Sequence, residues 1–160
     1  MNPYEELLVK IHPEIPVLET NLVAMTGYPG LYRNNRIYLD SELSLRKKRA
    51  YLAEEYGHHK RSVGTIVNYK DAKSRKEEWR ARRYGIEMLI TLDDLLECGL
   101  SGYHTKYDCA DFLDVPVEFL SEALIHYYNK FGTHHVYKNY LFIFNEESIW
   151  IDFCQKLKCK

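Results

Sequence analysis

Two long helical segments dominate the middle of this sequence. The first runs from Leu45 to His59, and it follows Ser44, a residue type preferred at helix N-caps. The second runs from about Lys73 to Ile90. Two helices of this length favour a mainly helical fold. Side chains of the second segment fall on two edges at helical spacing: Trp79, Arg83, Ile86 and Ile90 on one, and Glu78, Ala81, Arg82 and Gly85 on the other.

Shorter elements surround these two helices. A first helix is predicted over Pro3–Ile11, and turn-rich residues then flank short strands near Leu31–Tyr32 and Ile37–Leu39 that form a hairpin. The whole pattern predicts an α+β fold, mainly helical with a small sheet, as one domain over residues 1–160. Later elements are the helices "TLDDLLECG", ending at Gly99, "KYDCADFLDV" and "PVEFLSEALIHYYNKFG", from Pro116 to Gly132; then "VYKNYLFIF", with a Lys138-Asn139 turn, and the apolar "SIWIDF".

Composition limits the class of protein. The 160 residues are 46% hydrophobic and 28% charged with a net charge of -1, which is typical of an ordinary globular domain. The N-terminal residues include acids and no long apolar run, so we expect a cytoplasmic protein without signal peptide or membrane anchor. No C-x-x-C pair occurs, and free thiols are expected at Cys98, Cys109, Cys154 and Cys159.

Direct binding to nucleic acid is not expected. The two segments around Pro116 have a helix-turn-helix outline, but a DNA-reading helix needs basic and amide side chains. This helix carries Glu118, Glu122 and a largely apolar face instead. We therefore interpret these two segments as helices that pack in the protein core and do not bind DNA.

The chemistry of the chain centres on "LAEEYGHH", residues 52–59. Side chains four residues apart share a helix face, so Glu54 and His58 point the same way and Glu55 lies beside them. This is the geometry of H-E-x-x-H, in which two side chains bind zinc and the intervening Glu is the general base. His59 is rotated by about 100° from His58 and is not expected to bind the same ion.

The segment "YLAEEYGHH" closely resembles "LAHELGH" of the ImmA/IrrE family of metallopeptidases, especially its phage-type members. The likeness covers roughly residues 15–97, including the short strands before the helix. A second family motif, E-x-x-A-x-x-F-A-x-x-L-L, resembles "EWRARRYGIEML". Its positions are filled here by Glu78, Ala81, Tyr84, Gly85, Met88 and Leu89.

The resemblance implies a zinc-dependent endopeptidase with a zincin-like active helix followed by a second ligand-bearing helix. Glu55 then matches the general base, His58 a metal ligand on the active helix, and Glu78 a carboxylate ligand on the next helix. The implied substrate is a helix-turn-helix transcriptional repressor, cleaved in the control of a phage or mobile element. Where the family pattern has its first His, this chain has Glu54.

Three interpretations of Glu54 are open. It serves as a carboxylate ligand, it holds a weak or different metal, or the site has lost its metal. A ligand set of Glu54, His58 and Glu78 leaves a divalent ion with a net charge near zero, whereas two His and one Glu leave it near +1. Bound water should then be less acidic, and an oxygen-rich site shifts preference from Zn towards harder ions such as Mn.

Two further points stay open at the level of sequence. The group that stabilises the oxyanion could be Tyr56, His59, His104 or an arginine. Two other functions also compete with the peptidase: a catalytically inactive protein-binding module of the same fold that engages a repressor without cutting it, and a structural domain with neither role.

Overall fold

The computed structural model describes residues 1–62, 72–103, 105–145 and 148–153. The chain divides into two compact units, Met1–Leu89 and Ile90–Lys160, called unit 1 and unit 2 below. The expected single domain over residues 1–160 stays a prediction.

Unit 1 contains the two long helices and a three-stranded sheet. The predicted first helix is confirmed with its ends unchanged, and the active-helix segment continues three residues beyond its predicted end at His59. The described elements are α1 (Pro3–Ile11), β1 (Val17–Thr20), α2 (Leu22–Thr26), β2 (Gly30–Arg33), β3 (Arg36–Asp40), α3 (Leu45–Ser62) and α4 (Ala72–Leu89).

The sheet of unit 1 has the order β1-β3-β2. Strands β2 and β3 form the predicted antiparallel hairpin, and its turn uses Asn34 and Asn35, both with positive φ. Asparagine tolerates this conformation better than most residues, which explains the tight connection. Strand β1 pairs with β3 in parallel and was not predicted from the sequence. Helix α3 packs against both strands of the hairpin, β2 and β3.

Helices α3 and α4 approach each other unusually closely. A Cβ atom built on Gly57 would lie 2.2 Å from the carbonyl oxygen of Ala81. One built on Gly85 would lie 3.0 Å from the carbonyl oxygen of Ala53. Two glycines, one on each helix, therefore permit backbone contact between the helices. Ala53 and Ala81 are themselves completely buried at this contact.

The described residues of unit 2 form three helices and an antiparallel sheet of order β4-β5-β6. The predicted strand pair is confirmed, and its turn residues Lys138 and Asn139 both have positive φ. The apolar C-terminal segment forms the third strand. Inside unit 2 the hydroxyl of Tyr127 donates a hydrogen bond to the carbonyl oxygen of Ile90. The elements are α5 (Leu92–Leu100), α6 (Lys106–Leu113), α7 (Val117–Phe131), β4 (His134–Tyr137), β5 (Tyr140–Phe144) and β6 (Ile149–Phe153).

The predicted fold class is confirmed: the protein is a mainly helical α+β structure with small sheets. Among the described residues, no helix combines the length and apolar character needed to span a membrane. Cys98 and Cys109 are buried free thiols, as expected. Cys154 and Cys159 lie outside the described residues.

Candidate metal centre

Three predicted site residues come together where α3 faces α4. Glu54 and His58 lie one turn apart on α3, and Glu78 lies on α4. One ligating atom from each of the three side chains falls within 4.8 Å of the other two. The structure thus places side by side the residues that the sequence pattern selects, while their role as metal ligands stays a prediction.

His58 and Glu78 are in direct contact, with Nε2 of His58 3.1 Å from Oε2 of Glu78. Burial by itself would lower the pKa of His58, but the hydrogen bond to Glu78 and the charges of Glu55, Glu78 and Glu54 outweigh burial and raise it. The same hydrogen bond lowers the pKa of Glu78. A raised pKa favours the protonated imidazole, whereas a metal ligand must be deprotonated, so a cation competes with a proton at His58.

Glu54 has a cationic neighbour on α4. The Nη2 atom of Arg82 lies 3.5 Å from Oε1 of Glu54, at the long end of hydrogen-bond range. Arg82 also follows Glu78 by one helical turn, and its charge contributes to the lowered pKa of Glu78. A single guanidinium therefore acts on both carboxylates of the candidate ligand group.

Glu55 is buried beside this group, with 8% of its surface exposed. Burial, opposed in part by the charge of His58, raises the pKa of Glu55 to about 7. The backbone N–H of Tyr32 donates to the Glu55 carboxylate. A Cβ atom at Gly30 would lie only 3.2 Å from Oε1 of Glu55, so the glycine allows β2 to approach closely. A carboxylate with a pKa near neutrality can both accept and return a proton.

A cavity of about 370 Å³ opens in front of these side chains. Its volume is within the usual range for small-molecule sites and is sufficient for part of a peptide. Among the described residues that line it, Arg75 alone carries a permanent positive charge. The lining consists of Tyr28, Gly30, Leu31, Tyr32, Glu55, His58, Arg75 and Glu78.

Two of the candidates for oxyanion stabilisation point elsewhere. The Tyr56 hydroxyl donates to Glu14, and Nε2 of His59 lies 3.4 Å from the same carboxylate. The Nδ1 atom of His59 contacts the Tyr32 hydroxyl at 3.2 Å. Both side chains therefore belong to a cluster around Glu14. His104 lies outside the described residues, which leaves Arg75 as the candidate supported by the cavity.

The donor set fits a divalent cation. Ligand atoms about 2.1 Å from a tetrahedral ion lie roughly 3.4 Å apart. One ligating atom from each of the three side chains lies within 4.8 Å of the other two, and the separation between His58 and Glu78 is 3.1 Å. Two carboxylates and an imidazole are common ligands of Zn and Mn.

With this geometry established, comparison with known proteins identifies the family. Residues 12–124, more than half of the chain, match the family model Peptidase_M78, described as the IrrE N-terminal-like domain. The chain belongs to this family. The predicted membership is confirmed, and the match extends on both sides of the expected residues 15–97. No curated protein and no solved structure shows a significant match. The Peptidase_M78 family is of the metallopeptidase type, which agrees with a group of ligands able to hold a metal.

Sequence reasoning did not assign roles to Arg75 or Arg82. Each carries a usable signal, because Arg75 precedes Glu78 by three residues and Arg82 follows it by four. Both spacings place an arginine near the Glu78 face of α4. The sequence could not show that this face meets Glu54 on one side and a cavity on the other.

Proposed function

We propose that this IrrE N-terminal-like domain is a metal-dependent endopeptidase with zinc as its preferred cofactor and manganese as the alternative. The observation that carries the proposal is the convergence of Glu54, His58 and Glu78 within 4.8 Å, next to buried Glu55. A divalent ion held by these three side chains would supply the positive charge that polarises a peptide carbonyl and acidifies a water molecule.

Glu55 is assigned the proton transfers. Its carboxylate accepts a proton from the attacking water as the new C–O bond forms at the carbonyl carbon. The same oxygen then delivers the proton to the peptide nitrogen as the C–N bond breaks. A pKa of about 7 suits both steps near neutral pH, and the N–H of Tyr32 fixes the carboxylate towards the cavity.

Arg75 is assigned to the developing oxyanion. Arg75 lines the same cavity as Glu55, and a cation placed at an oxyanion stabilises charge that develops only in the transition state. Where Glu54 makes the metal site less positive, such a separate cation gains importance.

The proposed substrate is a helix-turn-helix transcriptional repressor, and the proposed setting is a phage or mobile element in a bacterial cytoplasm. Support for this comes from the resemblance of the active helix to phage-type ImmA/IrrE members. The cavity is consistent with a peptide chain entering along β2, whose Gly30, Leu31 and Tyr32 form one wall.

One observation favours a second candidate, a protein-binding module that engages a repressor without cleaving it. The candidate ligands already have protein partners, since His58 contacts Glu78 and Glu54 contacts Arg82. A fold that has lost its metal would gain stability from such pairs.

Elemental analysis of protein purified without added metal separates the two functions. The peptidase predicts close to one equivalent of zinc or manganese in wild type and none in His58→Ala. Coexpression with a helix-turn-helix repressor then tests cleavage, read as repressor length by mass spectrometry. Wild type should shorten the repressor, and Glu55→Gln should bind metal without cutting. Metal-free wild type that captures intact repressor, even after soaking with both ions, would replace the peptidase with the binding module.

A further inference from the structure

Arg82 of α4 lies near two carboxylates of the candidate ligand group, Glu54 and Glu78, and this placement suggests a role for its side chain. Glu78 and Arg82 lie one turn apart on α4, while Glu54 approaches from α3. The Nη2 atom of Arg82 lies 3.5 Å from Oε1 of Glu54, and this oxygen belongs to a side chain that is only 17% exposed. The contact therefore holds a largely buried carboxylate at the border of the candidate ligand group.

Charge makes this contact more than ordinary packing. Two ligand carboxylates cancel the charge of a divalent ion, and a third carboxylate, Glu55, stands beside them. Partly buried carboxylates this close repel one another, and each needs a positive neighbour. Arg82 supplies one unit of positive charge at Glu54, the residue whose carboxylate makes the ligand group richer in negative charge.

A carboxylate can accept from Arg82 and bind an ion at the same time. It offers about four lone-pair directions on two oxygens, and the Arg82 contact uses one of them. Partners of this kind orient metal ligands, and their loss typically weakens metal binding by 10- to 100-fold. The planar guanidinium fixes direction better than a lysine ammonium would.

We infer that Arg82 is a positioning residue for Glu54: it directs the Glu54 carboxylate into the metal site and replaces the positive charge that this extra carboxylate removes. The inference rests on the proposed function, since it requires that the site holds a metal. It further implies that Arg82 has no such role when position 54 carries an imidazole.

A double-mutant cycle tests this dependence. The four proteins are wild type, Arg82→Gln, Glu54→His and the double variant, each titrated with Zn²⁺ and separately with Mn²⁺ against a chromogenic chelator. We expect Arg82→Gln to weaken binding of both ions by about 10- to 100-fold when Glu54 is present. In the Glu54→His background the same change should alter affinity by less than about threefold, because the contact between Arg82 and Glu54 no longer exists and Arg82 acts on Glu78 only through its charge.

Two controls keep the test decisive. Arg83→Gln removes a charge from an exposed position next to Arg82 and should leave metal affinity unchanged. Arg82→Lys keeps the charge and should retain more affinity than Arg82→Gln; if Arg82→Gln does not fold, the smaller loss in Arg82→Lys is compared between the two backgrounds instead. Thermal unfolding without metal verifies the fold of every protein.

The outcomes separate this inference from the proposed function. Equal losses from Arg82→Gln in both backgrounds, or no loss in either, would overturn the role of Arg82 while leaving the metal site intact. Failure of wild type to bind either ion would overturn the metallopeptidase and the role of Arg82 together. A loss of metal affinity from Arg82→Gln that occurs only when Glu54 is present would support the positioning of Glu54 by Arg82.

Discussion

The Nε2 atom of His58 lies 3.1 Å from Oε2 of Glu78, so an imidazole of α3 and a carboxylate of α4 meet directly. Their contact depends on the close approach of the two helices at Gly57 and Gly85. A divalent ion bound to both side chains would replace the hydrogen bond between them.

Metal should stabilise the protein through His58. Zinc or manganese at about 100 times its dissociation constant adds roughly 2.7 kcal/mol to the free energy of unfolding. Differential scanning fluorimetry should show a rise in Tm that chelator reverses. His58→Ala should abolish the rise, whereas His134→Ala, at an exposed histidine of unit 2, should retain it. A rise that persists in His58→Ala would place the metal elsewhere.

The buried Glu55 carboxyl should make stability depend on pH in metal-free protein. Burial raises its pKa from 4.5 to about 7, so between these values the folded state keeps a proton that the unfolded chain loses. Its contribution is fully present below pH 4.5 and is lost as pH rises towards 7. Glu55→Gln should therefore gain stability relative to wild type over this window, by on the order of 3 kcal/mol.

Denaturant unfolding at several pH values, with chelator present, measures this difference. Glu97→Gln is the matched control, because the Glu97 side chain is exposed. A free-energy difference between Glu55→Gln and wild type that stays flat from pH 4.5 to 8 would mean that Glu55 is not desolvated.

Gly57 should tolerate no side chain. In Gly57→Ala the new Cβ would lie 2.2 Å from the carbonyl oxygen of Ala81, which forces α3 and α4 apart. We expect a loss of stability of about 1–3 kcal/mol and a loss of metal affinity of at least about tenfold. Gly85→Ala, whose Cβ would lie at 3.0 Å, should be milder. Thermal unfolding and chelator competition measure the losses of stability and metal affinity in both variants. A larger loss in Gly85→Ala than in Gly57→Ala would contradict this prediction.

Arg75 should affect turnover and leave metal content unchanged. If its guanidinium stabilises the oxyanion, Arg75→Gln should lower kcat for repressor cleavage by about 10²- to 10³-fold. Elemental analysis should still find wild-type metal. Arg83→Gln, at an exposed position of the same helix, should cleave normally. A fall in metal content matching the fall in kcat would assign Arg75 to the metal site instead.

Tyr127 should matter for the stability of unit 2. Tyr127→Phe removes the hydroxyl that donates to the carbonyl oxygen of Ile90 and leaves that buried oxygen unpaired, at a cost of about 1–3 kcal/mol. Denaturant unfolding measures the loss. Tyr128→Phe is the adjacent control, because the Tyr128 hydroxyl makes no hydrogen bond with any residue that the structure describes. Equal losses in both variants would argue against a specific role for the Tyr127 bond.

The longer helices of this protein could be predicted from sequence because their signals are local, whereas the five-residue helix α2 was not predicted. Apolar spacing placed α4 within one residue at each end, and Asn34-Asn35 marked the hairpin turn. Strand β1 was missed because four partly exposed residues carry little pattern. Its partner β3 lies about twenty residues away and pairs in parallel. Parallel strands are not joined by a tight turn, so the sequence contains no turn signal that would predict this pairing.

The candidate site was predictable in part. Helical spacing put Glu54 and His58 on one face, and family resemblance added Glu78 from the next helix. The partners of these residues depend on how helices and strands meet, which no spacing reveals. Sequence alone could not direct Tyr56 and His59 towards Glu14. Nor could it show that Arg75 lines the cavity.

The contact between Glu54 and Arg82 also constrains how the sequence of this site can have evolved. If the two side chains work as a pair, an ancestor with histidine at position 54 could not have exchanged it for glutamate at no cost while position 82 lacked a cation. Relatives should therefore fall into two groups, with Glu and Arg together or with His and a neutral residue together. Mixed combinations should be rare, so positions 54 and 82 should covary among relatives.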